Sequence, residues 1–97
     1  MRLLITPLAA QDLEEIGDYV AQDNPQRATS FISELRNQCE KICLNPAGYR
    51  LRPELSDNLS SCAHGSYVIF FENTLDQVTI IRILHGARDI PPVLHPL

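Results

Sequence analysis

A chain of 97 residues, 44% hydrophobic and 21% charged, is sized for one domain with a real core and is too apolar to be disordered throughout. Eight basic residues against 12 acidic ones leave a net charge of −4, which argues against broad electrostatic binding to DNA or RNA. No run approaches the roughly 18 apolar residues of a membrane span and no leader pattern opens the chain, so the expectation is a cytoplasmic protein without membrane contact.

Arg2 to Ile5 is short and apolar and reads as a first strand. Thr6-Pro7 is a helix start, a capping hydroxyl followed by proline at the first helical position. Ala9, Leu13, Ile16 and Val20 then fall on one helical face, with Asp12, Glu14, Glu15 and Asp18 assigned to the solvated side. Asn24-Pro25 repeats the start signal, and Ala28, Phe31, Ile32, Leu35, Cys39 and Ile42 form a second apolar stripe ended by Asn45-Pro46. A short connection makes the two helices an antiparallel hairpin. Cys39, Cys43 and Cys62 are odd in number and are read as free thiols. A metal site built from them with His64 matches no common zinc spacing, so neither metal nor cofactor is expected.

Residues 46–58, with Arg50 and Arg52, read as a loop holding at most a short turn of helix. Three strands follow: Leu59 to His64, Tyr67 to Glu72 and Gln77 to His85, joined at Gly65-Ser66 and at Asn73 to Asp76. The expected fold is α+β in the order β-α-α-β-β-β. The helical hairpin packs on one face of a small, mainly antiparallel sheet, in a single domain over 1–97 with 90–97 an extended tail.

The last strand does not alternate cleanly between apolar and polar. Strict alternation puts Thr79, Ile81, Ile83 and His85 on one face and Val78, Ile80, Arg82 and Leu84 on the other. Its neighbour divides into Tyr67, Ile69 and Phe71 against Val68 and Phe70. Two helices cover one face, so the second needs the tail, a second copy or another protein. Arg82 either meets a partner's carboxylate or packs its stem on the sheet and turns its head to solvent or an internal acid such as Asp89. His85 ends the strand, Gly86 is read as a residue that permits a special backbone conformation there, and Arg88-Asp89 is a local ion pair. In the proline-rich tail Ile90, Val93, Leu94 and Leu97 are anchors on this domain or on a partner.

The stretch "GSYVIFFENTLDQVTIIRILHGARDI" (Gly65 to Ile90), with the start "LLITPLAAQDLEEIGDYVAQDNPQRATSFISEL" (Leu3 to Leu35), resembles the ParE branch of the RelE/ParE toxin superfamily. Its most specific part is "IIRILHGARD", a strand ending in Arg-x-x-His-Gly-x-Arg-Asp. The resemblance implies a bacterial toxin of a toxin–antitoxin system, serving plasmid stabilisation. Such a toxin inhibits DNA gyrase by protein–protein binding without chemistry of its own, and a ParD-like antitoxin of ribbon-helix-helix type neutralises it and carries any DNA binding. It further implies that Arg82, His85, Arg88, Asp89, Val93 and Leu94 meet the target or antitoxin, and that the antitoxin covers Val68, Phe70, Ile80 and Leu84. The RelE branch cuts mRNA on the ribosome. In that alternative Arg82 and His85 are the catalytic candidates, with Arg50, Arg52 and His64 as secondary ones, although a net acidic chain suits RNA poorly. A third alternative is an inactive toxin fold that only binds its antitoxin.

Overall fold

Both helices begin where their capping residues stand. In this computed structural model, which describes residues 1–87, strand β1 (Arg2–Ile5) leads into helix α1 (Pro7–Ala21), and the Thr6 hydroxyl accepts a hydrogen bond from the Ala9 amide at 3.2 Å. The same hydroxyl donates to the Ile81 carbonyl at 3.0 Å, so one side chain both caps α1 and fastens it to the last strand. Helix α2 (Pro25–Leu44) starts with the Asn24 side-chain oxygen accepting from the Arg27 amide at 3.1 Å. Gly17 of α1 faces Ile32 of α2, where a Cβ would stand in van der Waals contact, 3.4 Å from Ile32 Cγ1. Among the described residues no helix is long and apolar enough to cross a membrane.

A short 3-10 turn (Pro46–Gly48) leads to β2 (Arg50–Leu51), followed by β3 (Leu59–His64), β4 (Tyr67–Asn73) and β5 (Gln77–His85). The sheet order is β1-β5-β4-β3-β2. The hairpin crosses over the sheet and returns the chain so that β1 lies parallel to β5, while the other pairs are antiparallel. Strand β2 corrects the expectation of a loop over 46–58. Its two residues pair with Ser61 and Ser60, but both are exposed and too few to carry a periodic pattern. Gly65, at φ +58°, supplies the left-handed residue that the tight β3–β4 turn requires.

The register of β4 with β5 slips once. Phe70 stands opposite Arg82 and Phe71 opposite Ile80, leaving Ile81 as the extra residue of a bulge. This resets the faces. Val78, Ile80 and Ile83 all pack on the helix side with Ile69, Phe71, Leu13, Ile16, Leu35 and Ile42. On the far side lie Phe70, Leu59 and Leu84, with Val68, Ile81 and Leu55 against them. The expected strict alternation is therefore corrected: Val78 and Ile80 leave the far-side set, and Ile81 changes face in the other direction.

The sheet does carry apolar side chains on both faces, but the far one is not bare. Phe70 is fully buried, and Leu55, from the turn between β2 and β3, packs on the cluster. The expectation that the tail, a second copy or another protein must supply all the cover is corrected to that extent. Arg88, Asp89, Val93, Leu94 and the 90–97 tail lie outside the described residues.

Candidate interaction site at the end of the last strand

Strand β5 outruns its neighbour β1. The ladder between them closes at Ile5 opposite Ile80, and the Thr6 amide then donates to the Ile80 carbonyl at 3.1 Å. Beyond that point the edge of β5 needs other partners for its backbone groups. Asp12 of α1 supplies one: its Oδ2 accepts from the Ile83 amide at 2.9 Å. The same carboxylate takes Arg82 bidentately, Nε to Oδ2 at 2.8 Å and Nη2 to Oδ1 at 2.9 Å.

Asp12 is buried, with 7% of its surface exposed, which corrects its assignment to the solvated side of the helix. The signal was present in the spacing, because Asp12 is three residues after Ala9 and four before Ile16 and so borders the buried face. Arg82 finds an internal acid in Asp12, whereas Asp89, the acid suggested by the sequence, lies outside the described residues.

His85 stands in register with Tyr67, and Tyr67 with His64, so three adjacent strands align a His–Tyr–His row. The Tyr67 and His85 rings meet edge to face at 5.4 Å between centroids. Phe31 of α2 caps the row, 5.7 Å from the His64 ring and 5.8 Å from Tyr67, and the Arg27 guanidinium lies 5.1 Å over the Phe31 ring. Glu34 bridges Arg27 at 2.6 Å and His64 at 3.3 Å. Its carboxyl is held below the usual carboxylate range by its hydrogen bonds with Arg27 first and His64 second, and it raises Arg27 in return. The Ala87 amide donates to His85 Nδ1 at 3.3 Å, which leaves the proton of the neutral ring on Nε2.

The result is an open groove of about 590 Å³ lined by Tyr19, Arg27, Phe31, Ser66, Tyr67 and His85 among others. Sequence reasoning named His85 and His64 here but missed Tyr19, Arg27, Phe31 and Ser66 as neighbours. The first three carry helical spacings that serve packing equally well. Gly86 does not adopt a left-handed conformation. Its amide donates to the Ser66 carbonyl at 2.9 Å, and a Cβ there would approach Val68 Cγ2 to 3.3 Å, a tight contact that Val68 would have to yield to by a few tenths of an ångström.

The other candidates go elsewhere. Arg52 pairs with Glu54 at 2.6 Å, and Arg50 lies on β2 at the sheet edge opposite β1, three strands from β5. Cys39 and Cys62 are buried and Cys43 is half-buried. Burial pushes the Cys39 thiol up to about 11, with the neighbouring Cys43 and Cys62 adding to the effect. Among the described residues no group of three or more His, Cys, Asp or Glu side chains could hold a metal ion.

Comparison with known proteins places this geometry in context. Residues 3–90 match the family described as ParE toxin of type II toxin-antitoxin system, parDE. A solved chain described as "Chromosomal ParDE TA system from P. aeruginosa" superposes with a TM-score of 0.76 at 23% identity, covering 88% of this chain and 95% of that one. At that identity the likeness speaks for the fold. No curated protein matches. The family match spans the helical hairpin and every strand of the sheet, and the chain belongs to the ParE toxin family of type II toxin–antitoxin systems.

Proposed function

We propose that the protein acts in the cytoplasm as a toxin that inhibits DNA gyrase by binding it, and that a ParD-like antitoxin neutralises it. The observation that carries a binding mechanism over a catalytic one is the fate of Arg82. Its Nε and Nη2 both bond the buried Asp12 carboxylate, so the guanidinium best placed to stabilise a phosphorane is engaged in holding α1 to β5. The acidic net charge favours the same reading, since a ribosome-bound nuclease must meet RNA phosphates.

In this reading His85, beside the groove, contacts the target or the antitoxin together with Arg88, Asp89, Val93 and Leu94 of the C-terminal segment. Arg82 acts mainly by fixing the strand that presents them. The antitoxin extends the cover over the Val68 and Leu84 side of the sheet, where Phe70 is already enclosed. DNA is reached only through the antitoxin.

Expression in bacteria without antitoxin tests this reading. Gyrase-dependent DNA breaks, with mRNA left intact in a translating extract, are the expected result. Cleaved mRNA that becomes intact again with His85→Ala would replace it with the nuclease mechanism. Harmless expression with retained antitoxin binding would mark an inactive toxin fold.

A further inference from the structure

The outward surface of the helical hairpin carries a feature that the gyrase reading leaves unused. Between α1 and α2 runs a shallow groove whose floor is Leu13, Gly17 and Ile32. Gly17 keeps it low, since there is no side chain to stand above Ile32. Along one rim α1 sets Glu14 and Asp18, four residues apart and hence on one helical face. Across the groove α2 sets Arg36. All three are exposed, and none makes an ion pair among the described residues.

We propose that this face binds a second copy of the chain, the two hairpins meeting about a two-fold axis parallel to their helices. The argument is one of register and charge. Glu14, Asp18 and Arg36 line one groove and therefore stand at the same height along the hairpin. Rotation about an axis parallel to the helices preserves that height and exchanges the two sides. Helix α1 of one copy then lies antiparallel on α2 of the other, as in a four-helix arrangement, and each Arg36 arrives between the other copy's Glu14 and Asp18. The charge match is made twice by one operation, and the Gly17 floor admits the partner's helix closely. A two-fold axis across the helices would instead set α1 on α1 and oppose like charges.

Sedimentation velocity on the full chain tests this. The wild type should shift from monomer to dimer as concentration rises, and the dimer should weaken with salt. Arg36→Glu alone should weaken the dimer at least about tenfold, because like charges then face each other twice. The pair Glu14→Arg with Asp18→Arg should do the same. Mixing these two variants one to one should restore a dimer, because both contacts are then of opposite sign. A wild type monomeric at all concentrations would overturn the proposal, as would a dimer indifferent to Arg36→Glu or a mixture that fails to pair while both variants keep their circular dichroism.

Discussion

Asp12 is the residue on which the end of β5 depends. Its two oxygens satisfy three donors, one of them the Ile83 backbone amide on β5 beyond the end of the β1 ladder. Removing the carboxylate takes from a part-buried guanidinium and from the Ile83 amide the acceptor they share. Asp12→Ala should therefore lower the unfolding free energy by about 3 kcal/mol, read from urea denaturation. Asp12→Asn retains one acceptor oxygen and should fall between. The ionisation of Cys39 gives a second test. Its thiol is raised to about 11 by burial, so the folded state favours the neutral form. The stability tied to it is complete below the unfolded thiol range, near pH 8.5, and is lost as pH rises through the folded value. Thermal melts should thus decline between about pH 9 and 11, less so in Cys39→Ala relative to its own value at pH 7. The sequence made Cys39 legible as a core residue because it sits on a clean helical stripe. It hid Asp12, whose position borders the buried face but whose charge argues for solvent until Arg82 is known to lie opposite.

At the scale of elements, the capping residues and turn signals determined most boundaries. Thr6-Pro7 and Asn24-Pro25 start α1 and α2 where the sequence places them, and the three long strands fall within a residue of expectation. The faces of β5 were not legible, because a bulge moves one residue out of step without leaving a mark in an unbroken aliphatic run. Ile80 and Ile81 are chemically identical, and only the partner strand decides which of them faces the helices. Thr6 shows how the elements are coupled: its hydroxyl serves the Ala9 amide and the Ile81 carbonyl at the bulge itself. Thr6→Ala should cost about 1–2 kcal/mol, and Thr6→Ser should recover most of it in the same denaturation experiment.

At the scale of the whole molecule, a parallel edge strand, a helical crossover and an antiparallel meander bring His64, Tyr67 and His85 into one row beneath Phe31. These residues span 55 positions of sequence from Phe31 to His85 if both ends are counted, and only the topology assembles them. The family motif pointed to His85, whereas its neighbours could not be inferred without the strand order. The central claim is that this assembly acts by engaging gyrase and performs no chemistry. Its most direct test is the supercoiling of relaxed plasmid by purified gyrase in the presence of the purified chain. The account predicts inhibition that rises with the amount of chain added, with cleaved DNA trapped on the enzyme, and its relief by a ParD-like antitoxin. Undiminished supercoiling at a molar excess of folded chain would contradict it.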